Sequence, residues 1–136
     1  TEVGHGVRIP VLGRVVAGIP IEAVEEVLDY EEITPELAAS GDFFALRVRG
    51  DSMLPTLKDG DVVIVKKQPT VDSGDIAIVL VNGNDATVKE IKESTAGITL
   101  IGHNVAVYTP QFYSNEDIKN LTVQVLGKVV EMRRKF

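Results

Sequence analysis

The sequence predicts a compact, mainly β domain with one or two short helical turns. Three observations support this fold class. The chain has 136 residues, enough for one domain with a real core and too few for two. From Phe43 onward the apolar runs are short, rich in Val and Ile, and separated by turn residues. Only Thr34-Pro35-Glu36-Leu37 begins like a capped helix, with Thr34 as the N-cap and Pro35 at the first helical position.

The predicted elements follow in chain order. Residues 1–8 are expected to be flexible linker, and Val11–Val16 is a plausible strand that breaks at Ala17-Gly18. The acidic stretch Ile21–Glu32 is either a short amphipathic helix or an edge segment, and its periodicity leaves both open. A one- or two-turn helix from Thr34 ends near Gly41. The later strands are predicted at Phe43–Val48, Asp61–Lys66, Asp75–Val81, Ala86–Lys92, Ile98–Gly102 and Leu121–Met132.

One hairpin can be placed with particular clarity. Ile76–Val81 is apolar on both faces, which predicts a buried central strand. Asn82-Gly83, within the turn 81–85, is a strong hairpin signal because both residues adopt positive φ cheaply. This hairpin would bring Lys89 back beside the buried strand.

Composition excludes several function classes. The net charge of −6 argues against a chain that grips a phosphate backbone by itself. No apolar stretch approaches the roughly 18 residues of a membrane helix, and nothing resembles a signal peptide. With no cysteine and only His5 and His103, a zinc site has almost no ligands. We therefore expect no metal, no cofactor and no membrane partner.

Ser52 is the first candidate catalytic residue. It follows Gly50 at the end of an apolar run, and Met53, Leu54 and Leu57 predict one short helical turn after it. Serine at such a junction is more often a helix N-cap than a nucleophile. Asp51 is better explained as a turn residue than as an acid-base group.

Lys89 is the second candidate, because a serine nucleophile needs a base and lysine can replace histidine. An ordinary lysine titrates near about 10.4 and is almost never neutral at pH 7. A catalytic Lys89 must therefore be buried. By itself, a solvated strand lysine is the commoner case, and Lys92 is expected to be such a residue.

Three stretches together resemble a known family. Arg49-Gly50-Asp51-Ser52-Met53, Asp59-Gly60-Asp61 and Thr87-Val88-Lys89 look like motifs of the self-cleaving C-terminal domain of LexA-type and lambda-type phage repressors and of UmuD proteins. Upstream, Arg8–Pro20 is similar to the segment that this family cleaves at an Ala-Gly bond. The resemblance runs from about Ile9 to Met132, and each motif is weak without the others. The fold it implies is β-clip-like, with highly bent strands.

The resemblance implies a complete function. Residues 9–136 would form a domain in which Ser52 attacks the Ala17-Gly18 bond, Lys89 acts as the base, and the backbone amides of Ser52 and Met53 stabilise the oxyanion. The parent would be a cytoplasmic transcriptional repressor of the SOS response, cellular or prophage. It would form homodimers through this domain, and a RecA-DNA filament would stimulate its cleavage. Because the chain starts at Thr1 without a helix-turn-helix pattern, we expect operator DNA to be bound by an N-terminal domain absent here.

Three alternatives stay open. A UmuD-like polymerase accessory protein shares the domain but has no DNA-binding head, and a repressor module could dimerise without cutting. Type I signal peptidases have a nucleophile box similar to Ser52–Leu57, but they need a membrane anchor and a Gly-Asp-Asn box that this sequence lacks. A different catalytic arrangement, a His-based triad, would require His103 near Ser52.

Overall fold

The computed structural model describes residues 6–16, 18–24, 26–83, 86–120 and 122–135. Within these ranges the chain forms nine strands, two short α-helices and one 3₁₀ turn. In chain order they are β1 (Val7–Leu12), the 3₁₀ turn (Ile21–Ala23), β2 (Val27–Ile33), α1 (Pro35–Ala38), β3 (Phe43–Arg47), β4 (Val62–Lys67), β5 (Ile76–Val81), β6 (Thr87–Ser94), β7 (Gly97–Ile101), β8 (Gln111–Ser114), α2 (Asn115–Lys119) and β9 (Val123–Arg133).

All nine strands of the described residues belong to one sheet, in the order β2-β1-β3-β4-β9-β5-β6-β7-β8. Every pairing is antiparallel except that between β1 and β3. The register shifts within the β1–β2, β4–β9 and β5–β9 pairs, and such irregularities bend strands. The prediction of a mainly β domain with one or two short helical turns is confirmed.

The core consists of three hydrophobic clusters along this sheet. The first lies beneath the turn that carries Ser52 and includes Phe44, Met53, Leu57 and Val88. β5 lies between β9 and β6, and its residues 77–80 are all buried. The central position predicted for this strand from its two apolar faces is therefore correct.

The later strands were predicted to within two residues at each described end, but β8 and α2 were missed. Ser114 caps α2 in a capping box: its hydroxyl accepts from the Asp117 N–H, and the Asp117 carboxylate accepts from the Ser114 N–H. A serine followed three residues later by an acidic residue is a helix-start signal. Without an apolar run after it, that signal was not recognised.

The predictions before residue 34 need correction. The first strand is Val7–Leu12 instead of Val11–Val16, because the chain leaves its pairing with β2 after Leu12. Val7 and Arg8, which were predicted as linker, therefore belong to the sheet, while residues 1–5 lie outside the described residues. Of the two alternatives for Ile21–Glu32, the edge segment is correct, since Val27–Ile33 is an edge strand. Thr34 is the N-cap of α1, as predicted, and accepts a hydrogen bond from the Leu37 N–H.

Candidate active site

The turn that carries Ser52 begins at the end of β3, where backbone and side-chain hydrogen bonds hold it to residues 59–61. The Val48 N–H donates to the Asp61 carbonyl at 2.7 Å, and the Gly60 N–H donates to the Val48 carbonyl at 2.9 Å. The Asp59 carboxylate accepts from the Gly50 N–H at 2.7 Å. Gly50 has a φ of +80°, which a residue with a Cβ adopts only with strain. The Asp59-Gly60-Asp61 motif therefore fixes the approach to Ser52.

Residues 51–57 form consecutive turns, and the hydrogen bond from the Leu57 N–H to the Met53 carbonyl closes the single helical turn predicted here, without a regular helix. Thr56 and Leu57 both donate backbone hydrogen bonds to the Met53 carbonyl, and the Leu54–Pro55 peptide bond is cis. Met53 and Leu57 are anchored in the core at 2% and 3% exposure. Since no helix follows Ser52, it is not a helix N-cap, and its side chain is available for another contact.

That contact is with Lys89. β6 pairs with β5 so that Lys89 lies opposite Ala77, and its side chain is only 3% exposed. The Lys89 Nζ lies 3.0 Å from the Ser52 Oγ, 2.5 Å from the Thr87 Oγ1 and 3.2 Å from the Val88 carbonyl oxygen. The two side chains singled out in the sequence are thus in hydrogen-bond contact.

Burial lowers the pKa of Lys89 from its ordinary value of 10.5 to about 8. Desolvation disfavours the charged ammonium, and no carboxylate of the described residues forms an ion pair with it. The Tyr108 ring lies 4.7 Å from the Nζ and favours the charged form, but the effect of burial is larger. At pH 7 about one molecule in ten would carry the neutral amine, compared with about one in a few thousand for an exposed lysine.

The three contacts of the Lys89 nitrogen match the bonding capacity of a neutral amine. A neutral amine has two N–H donors and one lone pair. It can donate hydrogen bonds to the Thr87 hydroxyl and the Val88 carbonyl while its lone pair accepts a hydrogen bond from the Ser52 hydroxyl. As an ammonium it can instead donate to all three oxygens. The geometry therefore accommodates both protonation states without rearrangement.

A loop of residues 102–108 packs behind Ser52 and covers Lys89. The Asn104 backbone N–H donates to the Ser52 carbonyl at 2.9 Å, and the Asn104 side chain donates to the Asp51 carbonyl at 3.1 Å. A Cβ at Gly102 would lie 2.9 Å from the Ser52 carbonyl oxygen, so this close approach requires glycine. Tyr108, at the end of the loop, contributes the ring that faces the Lys89 amine.

A cleft of about 230 Å³ opens in front of Ser52. Its wall comes from residues 46–50 at the end of β3, residues 86–88 at the start of β6, Gly13 and Arg14, together with Ser52 and Met53. Within the described residues, the N–H groups of Ser52 and Met53 donate to no backbone or side-chain acceptor. Both amides are therefore available to a group bound in the cleft.

The segment predicted to be cleaved lies beside this cleft. Val15 is 2% exposed in the first core cluster, and its carbonyl accepts from the Ala86 N–H at 2.7 Å. Gly18 is exposed, has a φ of +83° and has open space around it. Ala17 lies outside the described residues, so the predicted Ala17-Gly18 bond is described only on its Gly18 side.

The remaining predictions concern histidines, metals and Lys92. His103 contacts Thr56 and Glu90 instead of Ser52, so His103 does not pair with Ser52. Lys92 is exposed, as expected. Across the described ranges, no group of three or more His, Asp or Glu residues is arranged to hold a metal ion. Nor do those ranges contain a helix long and apolar enough to cross a membrane.

Sequence reasoning missed how the site is supported. Asp59, Asn104 and Tyr108 all contact the backbone or the side chains around Ser52 and Lys89. Asp59 was noticed only as part of a motif. Asn104 and Tyr108 carry no local signal for their contacts, because each partner is more than ten positions away in the chain.

Comparison with known families agrees with this geometry. The model of the family described as peptidase S24-like matches residues 10–130. This span includes all three motifs, the predicted Ala17-Gly18 cleavage site and both strands that border the cleft, β3 and β6. The chain therefore belongs to the peptidase S24-like family, which comprises the C-terminal domains of LexA, UmuD and the phage repressors.

Proposed function

We propose that this chain is a serine peptidase with a Ser52–Lys89 dyad that cleaves its own Ala17-Gly18 bond. The observation that carries the proposal is the 3.0 Å contact between the Ser52 Oγ and the Nζ of a buried lysine that forms no ion pair with any carboxylate of the described residues. A hydroxyl beside an amine whose pKa approaches the working pH is the arrangement that nucleophilic catalysis requires. Membership of the family supports the serine peptidase class.

The chemistry proceeds in two stages. The Ser52 oxygen bonds to the Ala17 carbonyl carbon while its proton passes to the lone pair of Lys89. The C–N bond then breaks, and the Lys89 ammonium gives that proton to the departing Gly18 nitrogen. A water molecule next attacks the acyl carbon, and Lys89 takes one of its protons. The bond between that carbon and the Ser52 oxygen then breaks, and Lys89 returns the proton to the Ser52 oxygen, which leaves the carboxyl group on Ala17 and the neutral amine on Lys89.

The amides of Ser52 and Met53 stabilise the tetrahedral oxyanion in this proposal. Both border the cleft and have no other acceptor among the described residues. Preorganised N–H donors at a developing negative charge typically contribute about 3 kcal/mol to transition-state stabilisation. The Asp59 contact to Gly50 and the Asn104 contacts to residues 51 and 52 keep these donors in place.

The anchoring of Val15 supports cleavage within the same chain. Its buried side chain and its hydrogen bond to Ala86 hold the chain two residues before Ala17 against the cleft wall. Held ends convert the attack into a unimolecular step with high effective concentration. Gly18 lacks the Cβ that would crowd the approaching nucleophile.

The proposal extends to the parent protein through the family. We infer a cytoplasmic repressor whose DNA-binding domain precedes this chain, which a RecA-DNA filament stimulates to cleave itself, and which dimerises through this domain. Among the described residues, Val129 and residues 131–133 of β9 pair with β4 and with no second strand, and Val130 and Met132 are exposed there. That free edge supports a dimer of two copies. The sequence preceding Thr1 distinguishes a repressor, which has a helix-turn-helix, from a UmuD-like protein.

The pH dependence of self-cleavage tests the peptidase proposal. Because the neutral amine is the base and the pKa of Lys89 is lowered to about 8, the rate should rise about tenfold from pH 6 to pH 7. It should rise roughly tenfold again from pH 7 to pH 9 and then level off. The measurement is the rate at which the intact chain disappears on a gel, with mass spectrometry placing the cut after Ala17.

Two variants complete this test. Ser52→Ala should abolish the cut at every pH, and Lys92→Ala should leave the rate unchanged because Lys92 is exposed on the same strand. A chain that stays intact at pH 9, or a cut that persists in Ser52→Ala, would refute the proposal.

A further inference from the structure

A histidine connects the two segments that carry Ser52 and Lys89. The Nδ1 atom of His103 lies 2.5 Å from the Thr56 Oγ1, and its Nε2 atom lies 2.6 Å from the Glu90 Oε1. Thr56 is in the turn that follows Ser52, and Glu90 is the residue after Lys89 on β6. The imidazole therefore links a hydroxyl on the nucleophile side to a carboxylate on the base side.

Both protonation states of the ring satisfy this chain of hydrogen bonds. A neutral ring donates a hydrogen bond from Nε2 to the Glu90 carboxylate and accepts one at Nδ1 from the Thr56 hydroxyl. A charged ring donates to both oxygens, because the Thr56 hydroxyl can turn to accept. The imidazole is about a fifth exposed, so nearby water weakens its hydrogen bonds to Thr56 and Glu90 but does not replace them. The link is accordingly maintained whichever form is present.

The backbone around His103 reinforces this link. Asn104, the next residue, donates to the carbonyls of Ser52 and Asp51. The His103 ring adds a side-chain attachment at Thr56, beyond the part of the turn that Asn104 holds. Residues 51–56 are therefore fastened to the 102–104 segment at three points.

The His103 ring contacts neither member of the Ser52–Lys89 pair. Its two ring nitrogens contact Thr56 and Glu90 instead, and the ring lies outside the lining of the cleft in front of Ser52. Because His103 lies outside the cleft, it can affect the reaction only through the positions of the residues that it contacts, Thr56 and Glu90. We propose that His103 is a positioning residue for the cleavage reaction, keeping the Ser52 turn in register with the Lys89 strand through Thr56 and Glu90.

This inference rests on the proposed function, and it makes a prediction that a proton-transfer role would not make. If His103 only sets the distance between the Ser52 Oγ and the Lys89 Nζ, its loss reduces the plateau rate and leaves the midpoint of the pH profile near 8. Small misplacements of reacting atoms cost up to about a hundredfold in rate. For His103→Ala we expect a plateau about tenfold below that of the unmodified chain.

The experiment measures self-cleavage rates from pH 6 to pH 10 for five chains: unmodified, Thr56→Val, His103→Gln, His103→Ala and the double variant Thr56→Val/His103→Ala. Glutamine keeps one hydrogen-bonding amide at a similar reach, so His103→Gln should recover part of the lost rate. Thr56→Val removes one end of the link and should slow cleavage by a few-fold. The double variant Thr56→Val/His103→Ala should be no slower than His103→Ala, because both changes break one unit.

Thermal unfolding of each variant in a Ser52→Ala background separates positioning from loss of folding. If His103→Ala is unfolded at the assay temperature, Thr56→Val and His103→Gln decide the question, since each deletes less. Unchanged plateau rates in these variants, a shifted pH midpoint, or additive effects of Thr56 and His103 would overturn the positioning role. Failure of the unmodified chain to cut would instead refute the proposed peptidase function.

Discussion

Two ionisable side chains are buried among the described residues, Lys89 and Asp61, and both are 3% exposed. Their surroundings are opposite. Asp61 accepts two hydrogen bonds from the Arg134 guanidinium, at 2.8 and 2.7 Å, and one from the Lys58 N–H at 2.8 Å. Around the Lys89 nitrogen, the described residues contribute two hydroxyls, a carbonyl and an aromatic ring, and no ion-paired carboxylate.

The difference separates a structural charge from a reactive one. The hydrogen bonds from Arg134 are the main reason that the pKa of Asp61 is lowered, so its charged form is favoured in the fold. Burial lowers the pKa of Lys89, so its neutral form is far more populated near neutral pH than that of an exposed lysine. The buried Asp61 carboxylate, paired with Arg134, holds the C-terminal residues to the turn at residues 59–61. The buried Lys89 amine has no counter-ion among the described residues and can act as a base near neutral pH.

The largest effect should come from Lys89→Arg. Arginine keeps the positive charge, but its pKa is so much higher than that of lysine that it has no neutral form at any usable pH. Self-cleavage at pH 9 should fall by about a thousandfold or more, as expected when a general base is lost. The comparison with Lys92→Arg, measured by the same gel assay, isolates the role of the position. Residual cleavage within tenfold of the unmodified chain would show that Lys89 is not the base.

Lys89→Met should reveal the energetic cost of the uncompensated charge. In the unfolded chain the amine titrates near 10.5, and in the fold near 8. The unfolded state therefore binds more protons between these values, and stability rises with pH across this window. Relative to Lys89→Met, the chain with Lys89 should gain about 3 kcal/mol of unfolding free energy from pH 7.5 to pH 10.5.

Urea unfolding at several pH values checks this prediction, with both chains carrying Ser52→Ala so that neither cuts itself. Lys92→Met serves as the matched control, since an exposed lysine should give a difference that is flat with pH. A flat difference for Lys89→Met as well would mean that the amine is not desolvated in solution.

Asp61→Asn should destabilise the fold while leaving the chemistry unaltered. Loss of the charge-assisted bonds from Arg134 should lower the unfolding free energy by about 1 to 3 kcal/mol at pH 7. Because the pKa of Asp61 is lowered, its contribution is complete above the ordinary value of 3.8. The contribution is lost as the pH falls through the lower folded-state pKa. The deficit should therefore shrink on acidification below pH 4, as urea unfolding would show. A shift in the midpoint of the cleavage profile would contradict the separation of the two charges.

Tyr108 offers the smallest and most selective change. Tyr108→Ala should open the Lys89 amine to water and move its pKa back toward 10.5. A rise of one pH unit in the cleavage midpoint would mean about a tenfold slower reaction at pH 7. Tyr108→Leu keeps an apolar cover and removes only the ring face that favours the ammonium, so its midpoint should stay the same or fall. Equal midpoints for the two variants would rule out Tyr108 as the cover.

Some of the fold was readable from local pattern alone. The strands from β3 onward, apart from β8, were located by their Val and Ile content and by the turn residues between them. At Asn82 and Gly83 both φ values are positive, +52° and +75°, as the hairpin prediction requires. The first strand was misplaced because Val15 and Val16 look like strand residues. Instead, Val15 packs into the core after the pairing with β2 has ended.

The sequence by itself determined the mainly β class, the pairing of Ser52 with Lys89 as the residues to watch, and the family to which the chain belongs. These properties follow from residue types and their spacing along the chain, which can be read without knowing how distant segments pack. Only the tertiary structure decided that Lys89 is dry, that Asp61 has a counter-ion, and that Asn104, His103 and Tyr108 support the site. Burial and hydrogen-bond partners depend on segments that the sheet brings together. The local sequence around a strand lysine therefore does not show whether its amine is exposed to water or contacts a serine.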